Sequence, residues 1–238
     1  MLQKTKIHNK LFEIQTHWSK DILSWYKKNK RDLPWRQEKN QNFYSIWLSE
    51  IMLQQTVVQT VIPYYTRFKK KWPDLKSFQL AKFHEVLKMW QGLGYYKRAK
   101  HLYEASKIIN NFDLENYNDL LKIPGIGSYT ASAILAILYD KKIGVIDTNI
   151  KRIFSRVFSI NFRDVANKKY LEEIACKLTP INNNKFYCQS LMDIGSLICK
   201  KKPLCKICPI SKYCDSNNKE EKIDFIIKKK KPRKIGVV

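Results

Sequence analysis

Leu121-Lys122-Ile123-Pro124-Gly125-Ile126-Gly127-Ser128-Tyr129-Thr130-Ala131 decides the fold: an apolar turn with two glycines sits between two short helical patterns. The glycines let the backbone turn sharply and approach another surface closely. The helix that follows, Ser128 to Tyr139, offers unpaired N–H groups and the positive end of its dipole to an anion, which suits a DNA phosphate. This is a helix-hairpin-helix pattern over about 121–139. A Gly-x-Gly turn between helices is also a packing device, and the turn by itself leaves both uses open.

Outward from the hairpin the patterning stays helical. Apolar residues recur at three- and four-residue spacing through 11–27, 43–70, 79–90, 96–110, 128–139, 149–158, 168–178 and 185–199, with no convincing run of strands, so an all-α fold is expected. Pro34, Pro63, Pro73, Pro124 and Pro180 punctuate these segments, and Gly92-Leu93-Gly94 marks a second tight turn. The stretch Lys228–Lys234 reads as a solvated basic tail or the stub of a linker.

A hydrophobic content of 44% over 238 residues supports one or two packed domains and excludes bulk disorder. A net charge of +24 points to a polyanion, with nucleic acid first, although an AT-rich coding sequence would also enrich lysine. No segment approaches the ~20 apolar residues of a membrane span, and residues 1–17 lack the apolar run of a signal peptide. The chain therefore reads as soluble and unexported, and it is expected to be a cytoplasmic, nucleoid-associated bacterial protein acting as a monomer.

Two acids stand out. Glu50 lies in Trp47-Leu48-Ser49-Glu50-Ile51-Met52-Leu53-Gln54-Gln55-Thr56, a dense apolar helix in which desolvation raises a carboxyl pKa and makes it a proton donor; a Glu on a polar stripe is the plainer alternative. Asp147, in Val145-Ile146-Asp147-Thr148-Asn149, opens a helix as its N-cap, a position that keeps a carboxylate ionised and able to steady a cationic sugar. Cleavage of an N-glycosidic bond needs both roles, a protonated leaving base and a stabilised oxocarbenium-like sugar. Four of the six cysteines form Cys199-x5-Cys205-x2-Cys208-x5-Cys214, a spacing that suits a single 4Fe-4S cluster, with tetrahedral zinc as the alternative. Cys176 and Cys188 read as small core residues.

Together these blocks, with Leu33-Pro34-Trp35-Arg36, Trp90-Gln91-Gly92-Leu93-Gly94-Tyr95-Tyr96 and Met192-Asp193-Ile194-Gly195, resemble the helix-hairpin-helix superfamily of base-excision glycosylases, and within it the MutY-type adenine DNA glycosylases, from roughly Asp21 to Cys214. The resemblance implies two helical lobes flanking a cleft for DNA and the base. One would comprise 1–28 with 136–220 and hold the cluster; the other would be 29–135, leaving 221–238 as a tail or linker. It implies that Glu50 protonates adenine at N7, that Asp147 stabilises the sugar with Tyr129 and Asn149, and that Trp35, Arg36, Leu53 and Gln189 enclose the flipped base. Gln54, Gln55, Thr56, Leu93, Gly94 and Tyr95 would contact or enter a duplex carrying A opposite 8-oxoguanine or guanine, while Gly125, Gly127 and Ser128 would hold a phosphate.

Tyr129 stands where the related endonuclease III enzymes carry a nucleophilic lysine, so the resemblance implies a monofunctional enzyme with water as the final nucleophile. A thymine-mismatch glycosylase and a non-catalytic DNA-binding relic are the competing readings. Two spacings depart from the family: the first cysteine interval is one residue short, and two residues are added near Glu38–Asn42. The family usually continues into a Nudix-like domain, so the chain reads as shortened, with weaker discrimination between 8-oxoguanine and guanine opposite adenine.

Overall fold

The computed structural model describes residues 2–162 and 164–217, so the basic tail lies outside the described residues. Helix α1 (Leu2–Asn29) begins well before the patterned segment, because Ile7 extends the buried stripe of Leu11, Ile14, Trp18, Ile22 and Tyr26 by one more turn. The long pattern over 43–70 is two helices, α2 (Phe43–Leu53) and α3 (Val58–Lys71). Pro63 lies inside α3 instead of ending it; it and Gln59, whose carbonyl loses its helical donor, both face solvent. Short helices α4 (Leu75–Gln79) and α5 (Phe83–Trp90) replace the single 79–90 pattern, and α6 (Lys97–Ile108) follows.

The hairpin comprises α7 (Tyr117–Lys122) and α8 (Ser128–Tyr139). Beyond it come α9 (Thr148–Phe158), α10 (Lys168–Leu178) and α11 (Asn184–Asp193), the last running into a π-helical turn over Ile194–Ile198. Among the described residues there is no strand, and no helix is long and apolar enough to cross a membrane.

Two helices are buried all round. Every residue of α2 from Tyr44 to Met52 is buried, as is α8 from Thr130 to Ile137. A helix apolar on every side must be enclosed by others; α2 packs on α3, α6 and α8, while α8 also packs on α7 and α11. α1 lies across α10 and α11 and reaches the cysteine loop through Trp18. The Trp18 indole donates to the Tyr187 hydroxyl at 2.8 Å, and its ring stands 6.3 Å from Phe154 and 5.9 Å from Tyr213. Cys188 is buried as expected, but Cys176 is exposed, because α10 turns Leu171, Ile174, Ala175 and Leu178 inward and leaves position 176 outside.

Trp18 is fully buried at the meeting of α1, α9 and α11. Trp18→Ala should therefore destabilise the fold by about 3–5 kcal/mol in urea unfolding; a loss under about 1 kcal/mol would show that α1 is not integral to the core.

Candidate active site

The central helices α2 and α8 and the start of α9 bring the two acids close enough for the charge of Asp147 to act on Glu50. Glu50 is 4% exposed, and its Oε2 has no hydrogen-bond partner. Burial pushes the Glu50 carboxyl from its ordinary 4.5 up to about 7; a hydrogen bond from the Tyr129 hydroxyl opposes the rise, the charge of Asp147 adds to it, and Arg36 opposes it. The same burial, with Glu50 and Asp147 beside it, holds the Tyr129 phenol well above its ordinary range. A neutral carboxyl with an unpartnered oxygen can donate a proton to a group brought within hydrogen-bond reach.

Asp147 is the N-cap of α9: Oδ1 accepts from the Ile150 amide at 2.6 Å and Oδ2 from Asn149 Nδ2 at 2.9 Å. Its carboxyl titrates above the usual range, contrary to the expectation from helix-terminus electrostatics, because desolvation outweighs those hydrogen bonds and the attraction of Arg152. Asn149 is itself held, its Oδ1 accepting from Arg152 Nη2 at 2.9 Å, and Arg152 donates to the carbonyls of Cys199 and Gly195, each at 2.7 Å. Gly195 is required there, since a Cβ would stand 2.6 Å from the Asn149 Cβ.

Trp35 is buried in a 3-10 turn, edge-on to Tyr65 at 5.4 Å. Arg36 forms a bidentate pair with Asp193, 2.7 Å and 2.9 Å, and Gln189 accepts from the Tyr26 hydroxyl at 2.6 Å. Leu53 packs at the core edge beside the turn after α2. Asp193 has no exposed side-chain surface and also binds Arg31, a pairing across 162 positions that sequence reasoning had no means of finding. It fixes the 31–36 segment against α11, and with it the positions of Arg36 and Trp35.

The residues expected at the duplex fall on two adjacent turns. Gln55 is exposed with φ 59°, and Tyr95 is 57% exposed with φ 50°; both are left-handed, an unusual conformation for side chains of this size. Gly94 shares the second turn at φ 76°. Thr56 is partly buried, and Gln54 Nε2 donates to the Gly125 carbonyl at 3.4 Å, tying the first turn to the hairpin. Leu93, expected at the duplex, is 5% exposed and belongs to the hydrophobic core, because the turn directs its side chain inward.

In the hairpin, Gly125 needs its glycine at φ 84°, whereas Gly127 has an extended backbone that any residue adopts and open space where a Cβ would stand. Gly127 is the N-cap of α8 and supplies no side-chain cap, so the amides near Ser128 are left for solvent or an anion.

Cys199, Cys205, Cys208 and Cys214 line one cavity together with Arg156 and Ile153. They surround it without converging: among the described residues no group of three or more His, Cys, Asp or Glu is placed to hold a single metal ion. Arg156 Nη1 lies 3.3 Å from Cys199 Sγ, and burial beside the other thiols pushes Cys208 up to about 12.

Comparison with known proteins agrees with this geometry. A family model described as "HhH-GPD superfamily base excision DNA repair protein" matches residues 48–180. A curated relative, "Adenine DNA glycosylase" of Buchnera aphidicola subsp. Schizaphis graminum, is 41% identical over 226 residues, 90% of this chain and 63% of its own length. The chain thus spans less than two thirds of that relative. Among solved structures, a thermostable thymine-DNA glycosylase matches with TM-score 0.76 and 28% identity over 87% of this chain and 97% of its own. A non-covalent endonuclease III–DNA complex shares the fold, with TM-score 0.70 at 16% identity over 87% and 96% of the two chains. The chain belongs to the HhH-GPD superfamily of base excision DNA repair proteins.

Proposed function

We propose that the chain is a monofunctional DNA glycosylase that removes adenine opposite 8-oxoguanine or guanine. The carrying observation is Glu50, a buried carboxyl with one unpartnered oxygen, a hydrogen bond from Tyr129 and Asp147 within electrostatic reach. Adenine swung out of the duplex would enter between Trp35, Arg36, Leu53 and Gln189. Glu50 gives its proton to the purine at N7 as the glycosidic electrons move to the base, and the Asp147 carboxylate, held by Asn149, steadies the cationic sugar. Water then adds to the sugar, and the proton it sheds restores the Glu50 carboxyl. No lysine stands at Tyr129, so no Schiff base forms with the sugar.

On this reading the part formed by 1–28 and 136–220 flanks the base on one side and 29–135 on the other, with the amides at Gly125, Gly127 and Ser128 on a phosphate. Removal of thymine from a mismatch is the second reading, favoured by the likeness to a thymine-DNA glycosylase; the 41% identical relative named for adenine favours the first.

Cys199, Cys205, Cys208 and Cys214 fit a 4Fe-4S cluster, because thiols spread around a shared cavity suit a multinuclear group better than one tetrahedral zinc. Such a cluster would cross-link the loop and set its charge. The protein should be yellow-brown with absorption near about 400 nm, and a colourless protein carrying stoichiometric zinc would reject the assignment.

Glu50→Gln should abolish release of adenine from an A:8-oxoguanine duplex while duplex binding persists, and release by the unsubstituted chain should fall about tenfold per pH unit above neutrality as Glu50 ionises. Unchanged turnover in Glu50→Gln removes Glu50 from the role, and release of thymine in preference to adenine from a mismatch panel selects the second reading.

Stability carries the same titration. Glu50 titrates near 4.5 unfolded and about 7 folded, so its contribution is intact at low pH and is lost as pH rises through that window. The stability advantage of Glu50→Gln should grow by roughly 2–3 kcal/mol between about pH 5 and pH 8; an advantage independent of pH would mean that the carboxyl is not buried.

A further inference from the structure

Arg98, near the start of α6, is 7% exposed, and no carboxylate among the described residues pairs with it. Its guanidinium is spent on backbone. Nη1 lies 3.1, 2.7 and 2.5 Å from the carbonyls of Ile51, Met52 and Gln54, and Nη2 lies 3.0 Å from Thr56 Oγ1 and 3.3 and 3.2 Å from the carbonyls of Leu93 and Gly94. The plane sits between the rings of Trp90 and Tyr95, 5.5 and 5.3 Å from their centroids.

The first three acceptors lie at the C-terminal end of α2 and its cap residue Gln54, where the dipole favours a cation; of the three, the Ile51 carbonyl also accepts from the Gln54 amide. The others belong to the two turns that carry Gln55 and Tyr95. Those two residues hold left-handed backbone at φ 59° and 50°, and such conformations persist only where neighbouring structure over-determines them. One planar group with donors on two edges reaches both turns at once; an ammonium, whose three donors radiate from one nitrogen, does not match that spread.

We propose that Arg98 is a positioning residue that locks the Gln55 and Tyr95 turns to each other and to the end of the Glu50 helix, so that both turns enter the duplex as one wedge. That function depends on the duplex reading of the turns given above. A mere stabilising cap on α2 would leave the second turn independent.

The test uses amide exchange together with kinetics on the full chain. In the unsubstituted protein, segments 53–57 and 92–96 should open as one unit across a denaturant series, and two separate openings would overturn the proposal. In Arg98→Lys, exchange in both segments should rise about tenfold together while α8 is unchanged. Single-turnover adenine release from an A:8-oxoguanine duplex, at saturating protein, should fall about tenfold with affinity for an undamaged duplex held within about twofold. Loosening of one segment only, or full release with both segments loosened, refutes the proposal. If the unsubstituted chain releases no adenine, the adenine reading is what has failed, and the exchange measurements still decide whether Arg98 couples the turns.

Discussion

Much of the structure follows from keeping one carboxyl group out of water. An ionised Glu50 inside α2 would be expensive, so the side chain holds its proton up to about neutrality, and the helix around it is apolar on every face. That arrangement needs neighbours on all sides of α2, and α3, α6 and α8 provide them. α8 in turn delivers Tyr129 as the single side-chain donor to the carboxyl, leaving the other oxygen without a partner. A core designed only for stability would place a leucine there; the buried acid is a local loss of stability.

The second acid is managed differently. Asp147 is also desolvated, yet both of its oxygens are occupied, by the Ile150 amide and by Asn149. One carboxyl thus keeps an oxygen without a partner, while the other has both oxygens engaged. The charge of Asp147 adds to the burial that raises the proton affinity of Glu50. Arg152 and Arg156, one turn apart on α9, bind the Cys199–Lys201 backbone, so the cysteine loop is joined physically to the helix that Asp147 caps.

The working edge of the molecule is made of helix ends and turns. Gln55, Tyr95 and Gly125 adopt left-handed backbone there, and their peptide groups are held by Arg98 and Gln54 instead of by regular helix. Rigid helices behind these turns fix their spacing.

Periodicity in the sequence was enough for the all-α class, for the limits of α8, α9 and α10, and for an acid with a raised pKa, because those features depend on residues close along the chain. The hairpin and the cysteine spacing were legible for the same reason. Sequence could not bring Glu50 and Asp147 together, since they lie 97 positions apart along the chain and only the packing of α2, α8 and α9 closes that gap. Nor could it reveal that burial would raise Asp147 against its helix dipole, that Leu93 would turn inward, or that Asp193 and Arg98 would anchor the pocket wall and the two turns. Those outcomes are set by desolvation and by donors and acceptors that meet across helices, and both come into being only when the chain is packed.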